Sequence, residues 1–163
     1  MGKRPRNGCS KGLILDTSFL LPYLGIKVVG VDERDIVEIT EKHKLYYPLL
    51  LLVELQGVVF KEARKRSLRE IPEKAVDGFI SLVYGERVEM LPPAEDDLNT
   101  SYDLILSGWN DIFDAILYAV SKRTKMRVLT MDTAFKNFLK EKGFDHELLV
   151  TQNEARPKST THD

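Results

Sequence analysis

Short apolar runs alternate along the chain with longer segments in which apolar residues recur every three or four positions. The first run shows no polar alternation, which is typical of a strand buried on both faces. The series predicts a parallel sheet with helices packed against it. Strands are predicted over residues 13–16, 45–47, 88–91, 127–131 and 148–150, and helices over residues 18–24, 33–43, 49–66, 72–83, 95–106, 111–123 and 133–142.

The length of 163 residues suits one domain with a core of ordinary size. We expect a basic flexible leader over residues 1–11, the folded domain over residues 12–151 and a polar C-terminal tail over residues 152–163. The longest apolar run, residues 46–60, is shorter than the roughly 20 residues that a membrane span needs and contains Glu54. No membrane association is therefore predicted.

Composition narrows the class of protein. The 24 basic and 25 acidic residues nearly cancel, so net charge alone predicts no polyanion partner. A single cysteine, Cys9, excludes an intramolecular disulfide and favours a reducing compartment. The N-terminus lacks the apolar stretch of a signal peptide, and the three histidines lack the spacing of zinc ligands. A cytoplasmic location is the expectation.

Acidic residues lie in or directly after several apolar segments, where an uncompensated carboxylate is costly. Asp16 and Asp132 each follow an apolar strand. Glu54 lies in a leucine-rich helix that is apolar all round, which predicts a buried helix, and Pro48 is expected in the first turn of that helix. Asp114 lies in a predicted helix and is expected to share one helical face with Asp111, three residues earlier. Each has an alternative interpretation. Strand-end aspartates also cap helices, Glu54 could form a core salt bridge, and Asp111 could complement the helix dipole.

These acids are expected to converge, because the carboxyl ends of parallel strands lie at one edge of the sheet. Clustered carboxylates repel one another unless a cation binds them, and hard ions such as Mg²⁺ or Mn²⁺ prefer oxygen ligands. Such an ion lowers the pKa of a bound water and neutralises charge on a phosphate. No glycine-rich phosphate loop or nucleophile elbow competes for the role. Phosphodiester hydrolysis uses this set of residues best.

With these motifs the chain resembles PIN-domain nucleases, specifically the small prokaryotic form found in VapC-type toxins. The matching segments are LILDTS at 13–18, PLLLLVEL at 48–55, FDAILYA at 113–119 and VLTMDTAF at 128–135. The resemblance implies a three-layer α/β/α fold with a five-stranded parallel sheet, an acidic pocket that holds Mg²⁺ or Mn²⁺, and endonucleolytic cleavage of RNA.

Carried over position by position, the resemblance assigns roles to residues of this chain. The acidic quartet, catalytic and metal-binding, corresponds to Asp16, Glu54, Asp114 and Asp132. Asp111 is an additional acid that many members lack, and it is a further candidate ligand. Ser18 and Thr130 match polar positions that commonly line the pocket, with local capping as the alternative. Four basic residues beyond Glu54 are candidates to receive the RNA backbone, or are simply a solvated surface: Lys61, Arg64, Lys65 and Arg66.

The resemblance also implies partners: RNA, a second copy of the chain in a homodimer and, for a toxin, a small antitoxin protein that places a basic side chain among the carboxylates. Three alternatives to a toxin nuclease remain. The first is a PIN-domain factor in RNA processing or ribosome biogenesis, and the second is a non-catalytic RNA-binding adaptor. The third is a phosphatase-like hydrolase with Asp16 as nucleophile, which Ser18 disfavours because such enzymes usually carry an acid at that position.

Overall fold

The structure is a computed structural model that describes residues 12–155, except for the side chains of Glu33 and Asp35. The predicted leader over residues 1–11 lies outside the described residues, as do residues 156–163 of the predicted tail. The first residues of that predicted tail form a short helix, Gln152–Ala155, whose last residue is buried.

Five parallel strands form the sheet, in the order β3-β2-β1-β4-β5. Their bounds are β1 Leu13–Leu15, β2 Leu45–Pro48, β3 Val88–Leu91, β4 Arg127–Leu129 and β5 Leu149–Val150. Helices flank the sheet, which confirms the predicted three-layer α/β/α architecture. Leu15 of β1 is paired in register with Leu129 of β4, so the residues that follow these two central strands emerge side by side.

The α-helices are α1 Thr17–Leu20, α2 Glu33–Lys42, α3 Leu52–Lys65, α4 Glu73–Tyr84, α5 Glu95–Leu106, α6 Ile112–Thr124, α7 Thr133–Glu141 and α8 Gln152–Ala155. Three short 3₁₀ helices, Leu21–Leu24, Leu49–Leu51 and His146–Leu148, complete the described elements. The bounds predicted for β3 and α5 are confirmed. None of the helices within residues 12–155 is both long and apolar enough to cross a membrane.

The segment around α3 differs from its prediction in two respects. Pro48, expected in the first turn of a helix, instead ends β2 and precedes the 3₁₀ turn, where its fixed backbone angle still suits a helix start. The prediction that this helix is buried all round is wrong, since Val53 is 68% exposed and Phe60 is 52% exposed. Only the stripe formed by Leu55, Val59 and Ala63 is buried, because α3 packs against the sheet on one side.

Buried apolar residues form two clusters. The larger one surrounds the sheet and includes all three residues of β1. The smaller one lies between α5, α6, α7 and β5 and consists of Leu104, Ala115, Tyr118, Phe135, Leu139 and Leu149. Between the two clusters, α6 contributes residues to both, which fixes the helix that carries Asp114 relative to the sheet.

Candidate functional site

The register of β1 and β4 brings Asp16 and Thr130 together. The Asp16 backbone N–H donates to the Leu129 carbonyl at 3.0 Å, and Thr130 Oγ1 donates to Asp16 Oδ2 at 2.8 Å. Thr130 Oγ1 in turn accepts from the backbone N–H of Asp132 at 3.0 Å. Asp16 occupies the N-cap position of α1 without a side-chain capping hydrogen bond, although the N–H of Thr17, the first residue of α1, lowers the pKa of its carboxyl. Thr130, directly after the neighbouring strand β4, orients the Asp16 carboxylate.

Asp132 and Asp111 both cap helices. Asp132 Oδ1 accepts from the Phe135 N–H at 2.8 Å at the start of α7. Asp111 Oδ1 accepts from the N–H groups of Phe113 at 2.8 Å and Asp114 at 3.3 Å. Asp111 therefore precedes α6, which begins at Ile112, and the prediction that it shares a helical face with Asp114 is wrong. Capping holds one oxygen of each carboxylate and leaves the other available.

Trp109 holds the carboxylate of Asp114. Its Nε1 donates to Asp114 Oδ2 at 3.1 Å, and its ring packs on Phe135 and Phe138 with centroid distances of 4.8 and 5.0 Å. Sequence reasoning missed this residue. The available signal was that the chain's single tryptophan, which combines a large apolar surface with one N–H donor, lies five residues before the acid.

Glu54 is held by a pair of hydroxyl groups that sequence reasoning also missed. Thr17 Oγ1 donates to Glu54 Oε2 at 2.5 Å and lies 2.8 Å from the hydroxyl of Tyr47. Within residues 12–155 no salt bridge involves Glu54, so the core salt-bridge interpretation is wrong. The carboxylate faces the other acids rather than a basic side chain.

Four of the five carboxylates share one feature. In each, the described part of the chain donates hydrogen bonds to one oxygen only: Oε2 of Glu54, Oδ1 of Asp111, Oδ2 of Asp114 and Oδ1 of Asp132. No buried side-chain oxygen among the described residues lacks a partner, so the second oxygens of these four are open to solvent. The fifth, Asp16, accepts from Thr130 through Oδ2 and also from the Thr17 N–H.

Burial and mutual repulsion raise the pKa values of three of these acids. Burial, and then the charges of Asp111, Asp132 and Asp16, raise the pKa of Asp114 to about 7, partly offset by the Trp109 hydrogen bond. Burial also raises the pKa of Asp16, against the hydrogen bond from Thr130. The pKa of Glu54 is raised by burial and by the charges of Asp16 and Asp111, and lowered by the Thr17 hydrogen bond. The five acids thus lie within electrostatic reach of one another.

A divalent cation fits the chemistry of this set. All donors are carboxylate oxygens, and within residues 12–155 none of the five acids forms a salt bridge with a basic side chain. The side chains are not arranged as a closed cage, since no three described His, Cys, Asp or Glu residues lie close enough together to hold an ion.

The remaining predicted residues are Ser18 and four basic residues at the end of α3. Ser18 lies in α1, two residues after Asp16 in the sequence, and is half-buried. The exposed basic residues follow Glu54 along α3, where a rise of about 1.5 Å per residue puts Lys61 about 10 Å and Arg66 about 18 Å from Glu54 along the axis. Arg64 and Lys65 lie between them, and Lys65 Nζ is 3.9 Å from Glu62 Oε1. Lys61 is therefore the nearest of the four to the acids.

Solved structures share this fold at low sequence identity. A toxin–antitoxin complex from Klebsiella pneumoniae contains a chain that is 15% identical, with a TM-score of 0.55 over 86% of this chain and 98% of that one. The crystal structure of PAE2754 from Pyrobaculum aerophilum is 16% identical, with a TM-score of 0.55 over 82% of this chain and 83% of that one. No curated protein sequence matches the chain significantly.

The family profile of the PIN domain matches residues 13–140, a span that contains all five acids and all but the last of the five strands. The chain therefore belongs to the PIN domain family.

Proposed function

We propose that the protein is a Mg²⁺- or Mn²⁺-dependent endoribonuclease that hydrolyses RNA phosphodiester bonds. PIN domains are generally nucleases, and membership of the family supports the reaction class. The single observation that carries the proposal is the set of five carboxylates without a basic partner among the described residues, four of them held through one oxygen and open at the other. Clustered negative charge of this kind is unfavourable unless protons or a cation neutralise it.

The acids divide into two groups by position. Asp16, Asp114 and Asp132, from the ends of β1 and β4 and the first turn of α6, would hold one ion. Glu54 and Asp111 would hold a second ion or accept a proton from the attacking water. A bound ion supplies a nucleophilic water at neutral pH and neutralises charge on the phosphate. Thr130 and Trp109 each hold one oxygen of Asp16 and of Asp114, which limits the orientations that these carboxylates can adopt.

RNA binding would involve the basic end of α3. Lys61 is the nearest of its exposed cations to the acids, with Arg64, Lys65 and Arg66 further along the helix, where they would contact the backbone several nucleotides away. Contacts of this kind are salt-dependent and independent of base sequence. The proposed substrate is therefore RNA selected by features other than these cations.

A toxin role is the proposed biological setting, with a small antitoxin as partner and the cytoplasm as location. The shared fold with a chain of a toxin–antitoxin complex supports it. An RNA-processing or ribosome-biogenesis role would use the same site.

We also propose a homodimer. The support for a homodimer is an apolar groove of about 250 Å³. Four of the side chains that line this groove are exposed: Leu50, Leu98, Tyr102 and Ile112. Light scattering on the purified protein would test the oligomeric state.

The decisive experiment is cleavage of a panel of cellular RNAs by the purified chain with Mg²⁺, with Mn²⁺ and with EDTA. Cleavage that needs a divalent ion and is lost in Asp114→Asn would support the proposal. A wild-type protein that cleaves no RNA under these conditions would contradict it. Failure to bind a divalent ion in calorimetry would favour the non-catalytic adaptor instead.

A further inference from the structure

A fully buried hydroxyl lies behind the acidic cluster. Tyr47 is the penultimate residue of β2, is 0% exposed, and belongs to the larger core cluster. Its hydroxyl donates to the Leu51 carbonyl at 2.9 Å and lies 2.8 Å from Thr17 Oγ1. A buried hydroxyl is costly unless it is hydrogen-bonded, and phenylalanine would fill nearly the same space without that cost. The hydroxyl therefore calls for an explanation beyond packing.

Thr17 connects this hydroxyl to Glu54. Its side chain is also buried, at 3% exposure, and donates to Glu54 Oε2. A threonine hydroxyl has one proton to donate, so the oxygen that donates to Glu54 can only accept from Tyr47. The proton of Tyr47 is then shared between Thr17 and the Leu51 carbonyl. Tyr47 thereby fixes the rotamer in which Thr17 points its proton at the carboxylate.

The second contact of Tyr47 acts on the backbone that carries Glu54. Leu51 ends the 3₁₀ turn, α3 begins at the next residue, and Glu54 lies in the first turn of that helix. Tyr47 therefore bonds the carbonyl of the residue directly before α3, three residues before Glu54. The same hydroxyl thus contacts both the threonine that donates to the Glu54 side chain and the backbone at the start of the helix that carries Glu54.

We propose that Tyr47, acting through Thr17, is a positioning residue for the Glu54 carboxylate. The pair holds Oε2, and no described residue donates a hydrogen bond to Oε1. The expected consequence, that this orientation of Glu54 favours ion binding and hydrolysis, rests on the proposed function. Removal of a group that hydrogen-bonds to a metal-binding side chain typically lowers metal affinity or activity by about 10–100-fold.

The first test compares Tyr47→Phe with a matched control, Tyr118→Phe. Tyr118 is 1% exposed and its hydroxyl accepts from the Asp145 N–H at 3.1 Å, but it lies in the smaller cluster and does not contact an acid of the site. Both variants should lower the melting temperature modestly. Only Tyr47→Phe should weaken Mn²⁺ binding in calorimetry, by about 10-fold or more, and lower kcat with little change in KM for RNA. Equal Mn²⁺ affinity and equal kcat in the two variants would overturn the proposal.

The second test asks whether Tyr47 acts through Thr17. Thr17→Val should lower Mn²⁺ affinity and kcat as Tyr47→Phe does, whereas Thr17→Ser should keep most of both. The double variant Thr17→Val/Tyr47→Phe should have an Mn²⁺ affinity and a kcat only slightly lower than those of Thr17→Val alone. Full additivity of the two losses would contradict a chain of hydroxyls. Because Thr17→Val could also disturb packing, its melting temperature is compared with that of Thr17→Ser.

A third measurement separates this inference from the proposed function. The ¹³C carboxyl resonance of Glu54, recorded without metal or RNA, should move in Tyr47→Phe and stay unchanged in Tyr118→Phe. A resonance that does not move overturns the positioning role whether or not the protein cleaves RNA. A wild-type protein that binds no Mn²⁺ and cleaves no RNA, but shows the expected shift, overturns only the nuclease proposal.

Discussion

Asp97 and Asp114 are acids on the neighbouring helices α5 and α6, and the fold treats them in opposite ways. Both oxygens of Asp97 are hydrogen-bonded: Arg123 Nε donates to Oδ1 at 2.8 Å, and an Arg123 guanidinium nitrogen and the Ala94 N–H donate to Oδ2 at 3.0 and 2.9 Å. Asp97 is 4% exposed. Asp114 accepts one hydrogen bond, from a neutral indole, and is close to three other acids.

This difference separates structural acids from acids available for chemistry. A buried carboxylate with a bidentate arginine has its charge and its lone pairs satisfied, so it locks α5 to α6. A carboxylate with one free oxygen, a raised pKa and acidic neighbours is unfavourable in the folded protein without a cation. Burial alone would not distinguish them, because Asp97 is the more buried of the two. The number of satisfied oxygens and the sign of the neighbouring charges do.

The largest expected effect follows from removing the charge of Asp114. Asp114→Asn keeps an oxygen that can accept from Trp109, and should lower the rate of divalent-ion-dependent RNA cleavage by about 10²–10⁴-fold. The metal-free protein should be no less stable than wild type, since the substitution relieves repulsion. Cleavage rates and urea denaturation measure the two effects. Cleavage by Asp114→Asn at the wild-type rate would place the chemistry elsewhere.

At Asp97 we expect a loss of stability with little change in RNA cleavage. Arg123→Met removes the partner of Asp97 and leaves a buried carboxylate without a counter-charge, which should cost about 3 kcal/mol in the free energy of unfolding. At a temperature where the variant is folded, its RNA cleavage should stay within about twofold of wild type. Urea denaturation gives the stability, with Lys122→Met, on the same helix and exposed, as the control. A decrease in the free energy of unfolding of less than about 1 kcal/mol would mean that the Asp97–Arg123 pair contributes little to holding α5 against α6.

The pH dependence of stability should show the cost of the unneutralised cluster. The pKa of Asp114 is about 7 in the folded protein and about 3.9 in an unfolded chain, so between these values the folded state binds more protons. Stability is therefore highest below about pH 4 with respect to this group, and falls as pH rises towards 7. Partial exposure reduces the effect, which leaves a loss on the order of 2 kcal/mol for the metal-free protein.

Urea denaturation at pH 5 and pH 8, with and without Mn²⁺, measures this loss. Saturating Mn²⁺ should abolish it, because binding to the folded state favours the ionised carboxylates. Asp114→Asn should flatten the profile without metal. A wild-type protein whose stability rises from pH 5 to pH 8 in EDTA would show that the acids are less strongly coupled than their surroundings indicate.

The sequence predicted the sheet and the positions of the acids better than their roles. Asp16 directly follows β1, and Asp132 lies three residues after β4. Both positions follow from apolar runs bounded by polar residues, and parallel strands bring such ends to one edge. Local rules could not decide whether a strand-end aspartate caps a helix. Asp132 does and Asp16 does not, because Thr130 on the neighbouring strand holds Asp16, 114 residues away along the chain.

The groups that hold the acids were beyond sequence reasoning for the same reason. Tyr47 has the apolar character expected of a buried strand, and nothing in the local pattern shows that its hydroxyl meets Thr17, 30 residues earlier. The hydrophobic pattern also overestimated the burial of α3, since runs of leucine and valine do not reveal which side faces the sheet. Features that depend on local propensity could be predicted from the sequence, whereas features that depend on contacts between distant residues could not.

The smallest effect is expected where an acid is fully partnered but exposed. Glu154 accepts from the Thr151 N–H at 2.7 Å and from Lys136 Nζ at 3.1 Å, contacts that lower its pKa. Lys136→Met should cost less than about 1 kcal/mol, because water already solvates much of this pair. Since the pKa of Glu154 is lowered in the folded protein, the difference from wild type should be present at neutral pH and be lost as pH falls through that lowered pKa, where Glu154 becomes protonated in both states. A cost as large as that of Arg123→Met would mean that pairing by itself, rather than pairing with burial, fixes the role of an acid in this fold.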